Sequence, residues 1–276
     1  MLIRTISGAF YVAILTAFFL LRQLVDYRLF HILTLFLLVV GTFEVSRATK
    51  QLAISQVRVI SLVFSIILVP AYCITEYILL FKGWGFSIAL DLIFIELIII
   101  CFIALKKGVS SDKFLWSCLP CVYPALLLLT MLLSNDMGAH AFIVLLLAFV
   151  ISPISDTFAY LTGSLIGGKK LCPKLSPKKT WSGAIGGTVG GIIGAIAVYF
   201  IFMPKVNFFS PVLLFGLVGL LASVVNIFGD LFESFIKRKV GIKDMGKIMP
   251  GHGGVMDRID GTSFVVAVIY LVFLFV

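Results

Sequence analysis

The sequence predicts an all-α, polytopic integral membrane bundle of about nine transmembrane helices. Three observations carry that reading. First, 61% of the 276 residues are apolar and only 13% are charged, where an ordinary soluble domain has roughly 45–50% and about 25%. A soluble globule of this size could not hide that much apolar surface, and the same composition excludes intrinsic disorder. Second, the apolar runs are long and show no period-2 alternation, which argues for a helical bundle and against an outer-membrane barrel. Third, the basic residues gather between the runs, as in loops that flank membrane spans.

A hydrocarbon core about 30 Å thick needs roughly 20 residues of helix. Spans are expected near Thr5–Leu21, Leu29–Phe43, Val59–Phe81, Trp84–Leu105, Phe114–Leu133, Ala139–Thr162, Gly183–Met203, Ser210–Gly229 and Thr262–Val276. The second and last are short, and tilt or extension would accommodate them. The first follows a single basic residue, Arg4, and reads as a signal anchor. With the N-terminus in the cytosol, 18 of the 22 basic residues face inward, leaving Arg22, Arg28, Lys82 and Lys205 outside. The positive-inside rule favours that frame and puts the loops 163–182 and 230–261 in the cytosol. The net charge of +9 is therefore a matter of topology and of anionic lipid or phosphate, and no nucleic-acid partner is expected. Cys118 and Cys121 form a C-x-x-C pair, but no second pair or nearby histidine completes a metal site, so they read as packing.

The chain divides by polarity. Residues 1–138 hold about five membrane helices, while 139–276 hold the remaining spans and the two polar loops. Five of the thirteen acidic residues fall between Asp230 and Asp260. Asp230, Glu233, Ser234 and Lys237 share one helical face, which Asn226 and Ser223 continue into the eighth span. A carboxylate at bilayer depth costs on the order of 2.5–3.5 kcal/mol, a cost that a cation or a water-filled cavity offsets. In the sixth span Ser152, Asp156 and Tyr160 share a face beside Pro153. This fits either a polar site or a hydrogen-bond network between helices.

The loop from Gly163 to Ser182 carries Lys169, Lys170, Lys174, Lys178, Lys179 and the Ser176–Thr180 run. It suits a polyphosphate or lipid phosphate, or simply fixes topology. Gly183, Gly187 and Gly191 are spaced by four, as are Gly186, Gly190 and Gly194. Such ridges of small residues let helices approach closely, and no nucleotide-cradling glycine motif occurs. The last polar stretch, Pro250–Asp260, sets three glycines around His252 and places Asp257 and Asp260 three apart. Two hard carboxylates on one turn suit Mg²⁺, while His252 is either a ligand or a cap in a glycine turn.

These residues resemble a known signature. Ser234, Lys237-Arg238, Lys243-Asp244, Pro250-Gly-His-Gly-Gly254 and Asp257-Arg-Ile-Asp260 are similar to the motif of the phosphatidate cytidylyltransferase (CDP-diacylglycerol synthase) family. A second region agrees: Asp156, Ala159-Tyr160, Gly163, Gly167, Lys169 and Ser176-Pro-Lys-Lys-Thr180. The resemblance runs from about residue 150 to the end. Met249 and Ser182 depart from it, Ser182 standing where a Glu is usual.

The resemblance implies Mg²⁺-dependent transfer of a cytidylyl group from CTP to phosphatidic acid, by a homodimer in the inner membrane with its site open to the cytosol. It implies one or two metal ions on Asp230, Asp257 and Asp260, with Asp156 and Glu233 as further candidates. Asp230, Lys237, Asp257 and Asp260 would be catalytic. Lys178, Lys179, Thr180, Ser234, Arg238, His252 and Arg258 would bind substrate. Two other classes stay open from the residues alone. One is a different membrane lipid phosphotransferase, although the acidic motif of the CDP-alcohol enzymes is absent because Asp260-Gly261 is followed by Thr-Ser-Phe. The other is a cation or lipid transporter with a polar midplane site.

Overall fold

The structure is a computed structural model that describes residues 2–79, 83–249, 251 and 253–276. Pro250 and His252 of the glycine-rich motif, Lys82, and the last two residues of the expected third span, Leu80 and Phe81, lie outside the described residues.

The chain is helical throughout, with one small hairpin. The helices are α1 (Leu2–Leu24), α2 (Phe30–Ala48), α3 (Val57–Cys73), α4 (Trp84–Lys107), α5 (Ser111–Pro120), α6 (Leu127–Asn135) and α7 (Ala141–Ile166). After the strands β1 (Lys170–Cys172) and β2 (Ser176–Thr180) come α8 (Trp181–Phe202), α9 (Pro211–Lys239) and α10 (Met256–Phe273). Eight described segments are long and apolar enough to cross a membrane, with α5 and α6 together making one of them. The ninth expected span forms the body of α10, whose first turn holds Asp257 and Arg258. Along α4, Phe94, Ile98, Phe102 and Leu105 form a helical stripe that stays exposed. An apolar stripe left uncovered on a chain of this composition is a lipid-facing surface.

The chain folds as two compact units: residues up to Asn135 together with Lys239–Arg258, and Asp136–Arg238 together with Ile259–Val276. The segment after α9 thus packs with the first unit. In that unit Pro120 and Pro124 break the expected fifth span into α5 and α6, with a π turn between them. Proline lacks the N–H that the helical ladder needs. The carboxylate of Glu76 accepts from Gly83 N and Gly85 N (2.9–3.2 Å) and so caps the start of α4.

In the second unit α8 lies against α7. A Cβ on Gly187 would stand 2.9 Å from Ser155 O, and one on Gly183 would stand 2.8 Å from Ala159 O. The glycine ridges are packing surfaces, as their spacing predicts. Two expectations about loops change. The segment 163–182 is not a single loop: α7 runs on to Ile166, and an antiparallel hairpin follows, pairing Lys170 with Thr180 and Cys172 with Ser176. The segment 230–261 is helical as far as Lys239, because α9 continues past the apolar run.

Candidate functional site

α9 and α10 approach closely because glycines face each other across them. A Cβ on Gly229 would meet Asp260 O and Gly261 Cα at 2.9 Å, and one on Gly261 would collide with Asn226. That approach sets Asp260 beside α9. Its carboxyl lies beside Glu233 and within electrostatic reach of Asp230. Glu233 is fully buried, and Lys237, one turn on, donates to its Oε2 at 2.6 Å. Lys179, from the end of β2, pairs with Asp230. Three carboxylates therefore face two ammonium groups. Carboxylates this close repel one another unless a proton or a cation sits between them.

Next to this cluster is a cavity of ≈ 430 Å³, lined by Asp156, Tyr160, Lys170, Lys178, Lys179 and Asp230 among others. Its volume falls in the range of small-molecule sites. The hairpin delivers the lysines. Thr180 ends β2 as the N-cap of α8, accepting from Gly183 N at 3.1 Å, which fixes the direction of the strand just before it. Ser182 donates to Gly167 O and lies 3.0 Å from the Thr180 hydroxyl, tying the hairpin to the end of α7. Asp156, which also lines the cavity, accepts from Asn226 Nδ2 at 2.7 Å. Asn226 Oδ1 in turn accepts from Ser152 at 2.6 Å, and Ser152 accepts from Thr262 at 3.1 Å. The polar stripes of α7 and α9 are thus joined into one network.

The expected site residues separate as follows. Asp230, Glu233, Lys237, Lys179 and Asp260 come together, and Asp156 and Lys178 share the cavity. Thr180 is buried as a helix cap. Ser234 is half-buried on α9, and Arg238 is exposed, its Nε 3.5 Å from Leu175 O. Asp257 and the exposed Arg258 occupy the first turn of α10. Asp257 Oδ2 accepts from Met245 N at 2.9 Å and Gly254 N at 2.7 Å, shaping the glycine-rich turn. His252 lies outside the described residues.

Sequence reasoning passed over Glu44 on α2, which accepts from Val255 N and Met256 N at the start of α10. The signal for it is a lone acidic residue near the end of an apolar run. Among the described residues no three His, Cys, Asp or Glu side chains surround one point as a complete metal cage would. The donors at hand are hard oxygens in a crowded carboxylate cluster. This suits Mg²⁺, which needs only one or two carboxylates and fills the rest of its shell with water and substrate phosphate.

The model of the cytidylyltransferase family matches residues 2–276. The chain is 35% identical over 143 residues to a phosphatidate cytidylyltransferase of Brucella abortus, covering 52% of this chain and 50% of that protein. It is likewise 35% identical to the phosphatidate cytidylyltransferase of Helicobacter pylori over 165 residues, covering 59% of this chain and 56% of that one. To that of Thermotoga maritima it is 35% identical over 146 residues, covering 50% and 51%. The matched part spans about half the length of these curated relatives.

Proposed function

The chain belongs to the cytidylyltransferase family, and we propose on that premise that it transfers a cytidylyl group from CTP to phosphatidic acid, giving CDP-diacylglycerol and pyrophosphate. The observation that carries the reading is the lysine-lined cavity beside the Asp230–Glu233–Asp260 cluster. It offers cations for phosphate groups and hard oxygens for a metal in one place. The names of the relatives point to the same chemistry.

In this reading a phosphate oxygen of phosphatidic acid attacks the α-phosphorus of CTP in line. A new P–O bond forms, the bond from the α-phosphorus to the bridging oxygen breaks, and pyrophosphate leaves with the electron pair. The attacking phosphate is already anionic, so no general base is required. The protein positions the reactants and stabilises charge, which is the main contribution to phosphoryl-type transfer. Lys178 and Lys179 bind phosphate oxygens, and Thr180 aims them by fixing the end of β2. Lys237, Arg238 and Arg258 neutralise charge, while Ser234 and His252 orient substrate. Asp230, Glu233 and Asp260 would hold one or two Mg²⁺ ions, which when bound neutralise charge on the departing pyrophosphate. Asp156 acts through Asn226 as a wall of the cavity, and Asp257 shapes the turn that leads into α10.

The enzyme acts in the inner membrane as a homodimer, with the nucleotide entering from the cytosol and the lipid from the bilayer. Basic residues in the segments 163–182 and 230–261 support that orientation. The test is pyrophosphate release by purified protein in mixed micelles. Release that needs CTP, phosphatidic acid and Mg²⁺ together is expected. Release that ignores phosphatidic acid, or no release at all, contradicts the reading.

A further inference from the structure

Glu44 is the single acidic residue of α2 and is almost completely buried. Both carboxylate oxygens are engaged by backbone far along the chain: Oε1 accepts from Val255 N at 3.1 Å and Oε2 from Met256 N at 2.9 Å. Met256 is the first residue of α10, so a carboxylate from another helix fills the place of an N-cap. The fit is close. A Cβ on Gly246 or on Gly254 would collide with this same carboxylate. Asp257 grips the segment from the other side through Met245 N and Gly254 N. Gly253, with φ +87°, makes the turn between them, and Met249 N bonds back to Gly253 O at 2.9 Å. Two carboxylates, one from α2 and one from α10, therefore hold Met245 and Gly254–Met256 in place. The first turn of α10, with Asp257 and Arg258, starts at the point that Glu44 holds.

We propose that Glu44 is a positioning residue for the transfer reaction: it locks Gly254–Met256 at the start of α10, and so aims Asp257 and Arg258 in the first turn of that helix. The proposal rests on the reaction proposed above. A lock of this kind acts on geometry needed in the transition state, so its loss lowers kcat more than it raises KM. Glu44→Gln preserves volume but sets an amide NH₂ against one of two N–H donors. The expected result is faster amide hydrogen exchange at Gly254–Asp257, with kcat per folded molecule roughly 10- to 100-fold lower and the KM for CTP little changed. Glu76→Gln, which weakens a similar cap at the start of α4, is the control and leaves kcat unchanged.

Gly254→Ala provides a second variant, because it crowds the carboxylate while Glu44 is still present. It should reproduce both effects alone and add little in a Glu44→Ala background, where the clash with the carboxylate is gone. Unchanged exchange at Gly254–Asp257 in Glu44→Gln overturns the lock. Faster exchange with normal kcat per folded molecule overturns the positioning role. A wild-type protein without phosphatidate-dependent turnover overturns the reaction instead, and exchange alone then decides whether Glu44 holds the turn.

Discussion

Asp260 sits in a crowded carboxylate cluster, against Glu233 and within reach of Asp230. Asp260→Asn removes a charged oxygen while nearly preserving volume. If the residue helps hold a metal against developing charge, turnover falls by roughly 10²–10³ and the Mg²⁺ requirement rises. Steady-state kinetics against Mg²⁺, normalised to folded protein, measure both. A carboxylate with only a structural role would lower the folded yield and leave turnover per molecule intact. The α9 part of this cluster was legible in the sequence, because Asp230, Glu233 and Lys237 share a face at 3.6 residues per turn. Asp257 Oδ2, three residues before Asp260, also serves two backbone N–H groups, a role that spacing alone does not announce. A helix start leaves orphan N–H groups that compete for any nearby carboxylate. Glu44 was illegible as a site residue because its partners lie 211 and 212 positions further along the chain.

Helix contact in the second unit depends on glycine at some positions and not at others. A Cβ on Gly219 of α9 would stand 2.7 Å from both Gly191 O and Ile192 Cα, backbone atoms of α8 that cannot rotate away. Gly216, one turn earlier, would meet only Ile196 Cδ1 at 3.8 Å. Gly219→Ala should therefore cost about 1–3 kcal/mol through overpacking, whereas Gly216→Ala should leave the thermal midpoint unchanged or raise it. Thermal unfolding of the two variants in one detergent checks the contrast. The same geometry explains which elements could be read ahead. Long apolar runs and four-residue glycine ridges are local periodicities, so the spans and the close packing of α8 were legible, whereas its partner α7 was not. The β1–β2 hairpin was not, because Ser176-Pro-Lys-Lys-Thr180 carries no apolar alternation. Its pairing comes instead from the ends of α7 and α8, which Ser182 and Thr180 tie together.

At the scale of the whole molecule, charge sets the orientation. The segments 163–182 and 230–261 hold 11 of the 22 basic residues, which predicts that both face the cytosol. Single cysteines at Lys174 and Lys247, on a background without the five native cysteines, should resist an impermeant thiol reagent in intact cells and react once the membrane is opened. Labelling from outside would reverse the frame and remove the cytosolic route for CTP. The chemistry itself is tested most directly by following the phosphorus atoms. With CTP labelled at the α-phosphate, the label should enter the lipid fraction in a phosphatidate-dependent manner, and label at the γ-phosphate should stay in water as pyrophosphate. Label from the γ-phosphate in lipid, or none from the α-phosphate, would contradict cytidylyl transfer.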